Sequence, residues 1–263
     1  MFRAPEPWNG ATRGSAGLAD RAPTARIVFA GDILPVRTST VTLDADVIAF
    51  FAGADAVVAN LEGILTERAW LPFLQKHTPA TFDVLAQLAP PATWALGLAN
   101  NHAGDYGEAA FEAHVERVEA LGFRTFGRGA APTLRIGDLT VTAWTAWQNR
   151  PSPWVATAPT LPEGRGWKVA FPHHGREFVR DPAVAVPGFD ATFAHHAHLA
   201  GAVEVGPTTL SASLGNLLTE VKVPPMGEGL VIAVELDDIG PIALSWTRIA
   251  ITRAWGRVHL RLA

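Results

Sequence analysis

Trp94-Ala95-Leu96-Gly97-Leu98 runs straight into Ala99-Asn100-Asn101-His102-Ala103-Gly104-Asp105-Tyr106-Gly107. An apolar pentad ending in two amides, a histidine and an acid is how an α/β protein presents polar groups at the carboxyl end of a strand, where open sheets keep their sites. A helix then spans Gly107 to Leu121. Phe111, Val115, Val118 and Leu121 recur at helical spacing, and Gly122 stops it. An Asn-His pair at such a strand end can supply a metal ligand and a proton donor side by side. The same side chains can instead cap backbone groups in a loop.

Outward from this stretch the first half of the chain alternates. Ile27 to Ala30 reads as a strand, Asp46 to Phe51 as a helix, Ala56 to Ala59 as a strand, Thr81 to Leu88 as a helix, and Trp94 to Leu98 as the third strand. Such alternation implies parallel βαβ units. The second half changes character. Leu134 to Ile136 and Thr140 to Trp144 flank Gly137-Asp138 as a hairpin, and 148–166 reads as a long Pro- and Gly-bearing loop. Val203 to Val205, Thr208 to Ala212, Leu230 to Leu236, Ile242 to Ile251 and Arg257 to Leu262 read as strands, the last with one polar face. The mixture predicts an α/β (α+β) fold, a four-layer αββα sandwich of two mixed sheets. Residues 1–25 read as a flexible lead-in to a single domain over 26–263.

The 263 residues carry a net charge of −4 and are 48% hydrophobic, enough for a sizeable core and without a broad basic surface for nucleic acid. There is no cysteine, so disulfides, thiolate ligands and a cysteine nucleophile are excluded. Met1 to Ala25 contains neither an apolar stretch of signal-peptide length nor a membrane-length run. The expectation is a cytoplasmic enzyme with no membrane anchor. Oligomeric state is not legible.

Four further apolar runs end in polar clusters: Gly31-Asp32, Asn60-Leu61-Glu62, His173-His174-Gly175-Arg176-Glu177 and His195-His196-Ala197-His198. Five strand ends bearing Asp, Glu, Asn and His look like one constellation, because divalent ions accept imidazole nitrogen and carboxylate oxygen together. Asp32 can ligate a metal or cap the next segment. Three histidines in four residues are hard to explain by packing, since each buried imidazole needs its own partner. On a strand, His196 and His198 would share one face with His195 on the other; in a turn the geometry is freer. His77, His114 and His259 have no supporting pattern and read as structural. Trp147 and Trp154, in the proline-bearing loop, are candidates to line a cleft.

These pieces, Gly31-Asp32-Ile33-Leu34 with Arg37, Asn60-Leu61-Glu62, Leu98 to His102 with Asp105-Tyr106-Gly107, His173 and Gly175 with Glu177, the histidine cluster, and Ser213-Leu214-Gly215-Asn216, resemble the CapA family of bacterial poly-γ-glutamate capsule-synthesis proteins. The family's domain is similar to calcineurin-like metallophosphoesterases. The resemblance implies the same αββα sandwich and a site for one or two divalent ions, Mn, Zn or Fe. It places Glu62, Asn101, His173 and His196 at one metal position, and Asp32, Glu62 and His198 at the other. It makes His102 a general acid, since imidazole titrates near the working pH. Asp105 either orients His102 or begins the helix. Arg37 either grips an anionic group or forms a surface ion pair. Glu177 either orients His173 or is a solvated acid, and His174 is a surface or supporting residue. The chain departs from the phosphoesterase pattern where Asp32-Ile33-Leu34 lacks the histidine of Asp-x-His, so the second ion is expected to be weak or absent. The segment Asp181 to Asp190 is too short and too rich in Pro and Gly for a helix. The implied function is a metal-dependent hydrolase of a phosphoester or amide in a small anionic or γ-glutamyl-type substrate. The competing function is a non-hydrolytic binding or accessory protein in γ-glutamyl polymer or peptide assembly. Biosynthetic amide chemistry is the third, without a nucleotide-binding loop to support a ligase.

Overall fold

Ile27 to Ala30, Val57 to Ala59 and Trp94 to Leu96 are wholly buried, as strands covered on both faces must be. The computed structural model describes residues 11–180, 183–206, 210–223 and 226–263. In chain order the elements are β1 (Arg13–Gly17), β2 (Ala25–Ile33), β3 (Thr40–Leu43), α1 (Ala45–Phe51), β4 (Ala56–Leu61), β5 (Ile64–Leu65), β6 (Lys76–His77), α2 (Pro79–Leu88), β7 (Trp94–Gly97), α3 (Glu108–Ala120) and β8 (Arg124–Phe126). There follow β9 (Thr133–Ile136), β10 (Leu139–Thr145), β11 (Trp167–His173), β12 (Ala191–Ala194), β13 (Glu204–Val205), β14 (Leu210–Ser213), β15 (Asn216–Leu218), β16 (Glu228–Leu236), β17 (Pro241–Ala254) and β18 (Arg257–Leu262).

The larger sheet has the order β3-β18-β17-β16-β2-β4-β7-β8, with β1 added on β17 and β15 on β2. Its β2, β4, β7 and β8 run parallel, while β16, β17 and β18 form an antiparallel meander. The smaller sheet is β13-β14-β12-β11-β10-β9, parallel through β10, β11, β12 and β14, with antiparallel edges. The sheets pack face to face. Phe29 of β2 meets Phe193 of β12 with ring centroids 4.5 Å apart, and Phe126 of β8 meets Phe171 of β11 at 6.2 Å. One apolar cluster draws on both sheets, so burying each sheet's inner face on the other is what holds the sandwich together.

The predicted mixed sheets are present, and the predicted strands and helices fall within a few residues of their expected places. Thr208 and Thr209, in the reading of β14, and Asp181 and Pro182 lie outside the described residues. The helices are drawn from the first half only: α1 packs on β18 and α3 on β8, and no α-helix follows Ala120 among the described residues. The smaller sheet therefore carries no helix of its own there. Just past α3, Leu121 is 45% exposed, while within the helix His114 is buried beside Phe111, Val115 and Val118. Part of the stretch read as a lead-in is structured. Arg13–Gly17 pairs antiparallel with Gly17 opposite Ala243 and Arg13 opposite Thr247; residues 1–10 lie outside the described residues. No helix among the described residues is long and apolar enough to cross a membrane.

Candidate metal centre

A close backbone approach builds the centre of the site. A Cβ on Gly31 would lie 1.9 Å from the carbonyl oxygen of Gly215, so only glycine lets β2 come this near. Gly215 takes the matching left-handed turn at φ 61°, and its carbonyl accepts the Asp32 N–H at 2.8 Å. Asp32 and Asn216 are thereby set side by side in register. The sequence reading ended the strand before Asp32; β2 runs on through it to Ile33.

Asp32 is fully buried and is the hub. Its Oδ1 accepts the Asn60 amide at 2.8 Å and lies 3.0 Å from His195 Nδ1 and 3.7 Å from His173 Nδ1. Its Oδ2 accepts the His196 backbone N–H at 2.8 Å and lies 3.5 Å from His198 Nδ1. Burial pushes the Asp32 pKa up, but the charge and hydrogen bond of His195, with His198 and His173, hold it well below the usual carboxylate range.

His195, His196 and His198 leave β12 in a turn, not a strand. His196 and His198 sit at φ 92° and 58°, in the left-handed region that costs a non-glycine residue roughly 1–3 kcal/mol. The turn cancels the alternation of a strand, and all three imidazoles face the same centre. His195 Nδ1 is 2.9 Å from His173 Nδ1, and His173 Nε2 donates to Asn101 Oδ1 at 2.9 Å. His198 Nδ1 is 2.9 Å from Asn216 Oδ1. Burial lowers the His173 pKa well below the imidazole value and takes His196 to about 4. Burial also works against charge on His198, yet Glu62 and Asp32 raise it to about 9.

Glu62 closes the centre. Burial and the Asp32 charge push its pKa up to about 7. The chain around it is held at two points: the Glu62 carbonyl lies 3.0 Å from His77 Nε2, and three residues on the Leu65 N–H donates to His114 Nδ1 at 2.9 Å. His77 and His114 are buried and structural, as expected, with burial lowering each pKa to about 3. His259, the third histidine without a pattern, pairs with Asp44 at 2.6 Å.

The donor set fits a divalent ion. Three groups of buried ligand atoms, Glu62-His173-His196, Asp32-Glu62-His198 and Asp32-His173-His195, each lie within 4.8 Å of one another. Glu62 Oε2, His196 Nδ1 and His195 Nε2 are buried without a hydrogen-bond partner. Such orphans are rare in native proteins and call for an explanation such as an ion. The first two groups draw on residues of the two positions the resemblance implies, the first without Asn101, whose Oδ1 lies 2.9 Å from His173 Nε2. The third rests on His195, which the strand reading put on the opposite face from His196 and His198 and outside the ligand set; its place in the histidine run was the available signal.

His102 stands at the rim. Its Nδ1 is 2.7 Å from Asp105 Oδ2, and its Nε2 is 3.8 Å from Glu62 Oε1 and 3.3 Å from the Asn149 amide. Burial depresses its pKa, but the Asp105 hydrogen bond and the Glu62 and Asp105 charges outweigh that and raise it. Asp105 thus orients His102 and does not begin α3, whose cap is Gly107. Asp105 also accepts the Gln75 N–H at 2.7 Å and Arg150 at 3.2 Å. Asn149 and Arg150 come from the long loop, where nothing in the sequence marked them.

Arg37 forms the surface ion pair, with Glu220 at 2.9 Å, and its guanidinium lies over Trp70. It is not among the side chains that surround Asp32 or Glu62. Glu177 is exposed and, with Asn101, Trp147, Asn149 and His196, lines a cavity of about 330 Å³ over the centre. It does not contact His173, whose nitrogens face His195 and Asn101. His174 is exposed. Trp147 stacks on His196 with centroids 6.2 Å apart, whereas Trp154 donates to the Ala103 carbonyl at 3.2 Å and packs on Phe111.

A search of curated proteins returned no match. The family model of the bacterial capsule synthesis protein PGA_cap matches residues 26–138, the stretch that contains Asp32, Glu62, Asn101, His102 and Asp105. His173 and the histidine turn lie beyond it. The resemblance to the CapA family therefore holds over residues 26–138, where the chain matches the bacterial capsule synthesis family.

Proposed function

We propose that the protein is a metal-dependent hydrolase that cleaves a phosphoester or amide of a small anionic substrate in the cytoplasm. The observation that carries this is the buried cluster of two carboxylates and four histidines in three overlapping ligand groups, with orphaned donor atoms. Glu62, Asn101, His173 and His196 would hold the principal Mn, Zn or Fe ion; Asp32 and His198 would hold or orient at a second position. A bound divalent ion supplies Lewis-acid polarisation and a lowered water pKa. The protein supplies the rest. Asp105 fixes the His102 tautomer, and its charge favours a proton on the ring, so His102 Nε2 is the group that hands a proton to a leaving oxygen. Asn149, which touches His102 Nε2, and Trp147 wall the small cavity that Asn101 and His196 also line. Leu34, where the phosphoesterase pattern has histidine, is packed in the core. His195 approaches Asp32 from another side, which favours His195 as a partial replacement.

The deciding experiment is metal content by inductively coupled plasma mass spectrometry, on protein purified without chelator or nickel resin. Near-stoichiometric Mn, Zn or Fe, lost in His196→Ala, is expected. Protein that holds none, and takes up none when these ions are supplied, refutes the reading. The match to capsule-synthesis proteins favours a second reading, a non-hydrolytic binding or accessory protein for γ-glutamyl polymer. Stoichiometric binding of a γ-glutamyl peptide without turnover would select it.

A further inference from the structure

We propose that the substrate carries an apolar arm, an acyl chain or an aryl group, next to its reacting end. The arm would occupy a second cavity of about 610 Å³ that shares a wall with the small cavity over the metal centre. This rests on the metal-hydrolase reading and names the substrate class of that site. Trp147, Gly175 and Arg176 line both cavities. The Trp147 indole donates to the Gly175 carbonyl at 3.0 Å and stacks on His196, so one anchored ring divides the polar chamber from the apolar one.

The apolar chamber is a built feature. Trp144 packs on Phe189 at 6.0 Å between ring centroids, in a buried cluster with Ala156 and Ala170, and Val186 leans on that cluster. The volume falls inside the roughly 300–1,000 Å³ of small-molecule sites. The hydroxyls in its wall are already engaged: Thr192 Oγ1 accepts the Val186 N–H at 3.0 Å, and Ser213 Oγ donates to the Leu199 carbonyl at 3.0 Å. They have little to offer a polar ligand, and most of what faces the space is hydrocarbon, with the exposed His174 and Arg176 as the polar part of the wall. Val184 is 75% exposed and Trp147 50% exposed at its edge. A ligand that covers them gains from removing that surface from water. A substrate with its anionic end over Asn101 and His196 and its arm past Trp147 uses both chambers at once.

The test is isothermal titration of the full-length, metal-loaded protein with butyrate, hexanoate and octanoate, with tryptophan fluorescence as a second readout. Affinity is expected to rise by at least about tenfold from butyrate to octanoate, because each buried methylene adds to binding. Val184→Asp, at an exposed position that does not endanger folding, is expected to abolish the chain-length dependence and leave metal content unchanged. Equal affinity across the series, or an unchanged dependence in Val184→Asp, overturns the proposal. So does self-association at micromolar concentration that Val184→Asp abolishes without any chain-length effect, since the cavity would then belong to a second copy. If the protein holds no metal but the chain-length dependence stands, the hydrolase reading fails and the apolar subsite survives. If metal is held and chain length has no effect, this inference alone fails.

Discussion

His114 should leave a one-proton mark on the pH dependence of folding. It lies on α3 with no solvent exposure, accepts the Leu65 N–H at Nδ1, and its Nε2 has no hydrogen-bond partner. Burial alone lowers its pKa from 6.5 to about 3. The unfolded chain therefore binds a proton near pH 6.5 that the folded chain refuses until about pH 3, so stability contributed by the neutral ring is complete above pH 6.5 and is lost as pH falls toward 3. Within that window the slope is about 1.4 kcal/mol per pH unit for one group, which amounts to about 2 kcal/mol between pH 7.5 and 5. His114→Asn keeps an acceptor for Leu65 and removes the titration. Urea unfolding of both proteins at several pH values from 7.5 to 5 measures the difference. The variant should be less stable at pH 7.5 by about 1–3 kcal/mol, from the lost ring volume, with a slope shallower by about one proton. Subtracting the two curves cancels the histidines of the metal centre, which are common to both. Parallel curves would refute the claim that His114 is neutral and buried in the folded state.

Three further outcomes follow from the site. His102→Ala should keep its metal and lose turnover by about a hundredfold or more; equal activity in metal-replete variant and parent would remove His102 from the chemistry. His195→Ala should weaken metal binding about 10–100-fold, the usual cost of losing a ligand or its support, read by competition with a chromophoric chelator; unchanged affinity would leave His195 as packing against Phe171. Gly31→Ala forces a methyl group into the Gly215 carbonyl, 1.9 Å away, and should destabilise by about 3 kcal/mol or more. Wild-type melting and metal content in that variant would show that β2 and the Gly215 turn can separate without cost.

The local signals in the sequence were strong where one residue's neighbours decide its state. Apolar runs that end in Asp32, Glu62, Asn101 and His173 marked strands with a site at their carboxyl ends, and Phe111, Val115 and Val118 marked a helix, because burial periodicity is set within one element. The same locality explains the misses. Arg13–Gly17, with two glycines and no large apolar residue, becomes a strand only because β17 offers it an edge. Leu121 reads as a core position by spacing, yet it falls where α3 meets solvent, and His114 takes the buried place.

By itself the sequence marked Asp32, Glu62, Asn101, His173, His196 and His198 as polar groups at or just past the ends of apolar runs, and showed that the chain resembles a capsule-synthesis family over part of its length. Tertiary structure alone decided which of them meet. It turned His195 inward through the left-handed backbone at His196 and His198, tied Arg37 to Glu220, and brought Asn149 and Arg150 from a featureless loop to His102 and Asp105. Those outcomes depend on pairs separated by tens to hundreds of residues, such as Asp32 and the His196 N–H, and no pattern along the chain records which distant partner will satisfy a buried polar atom.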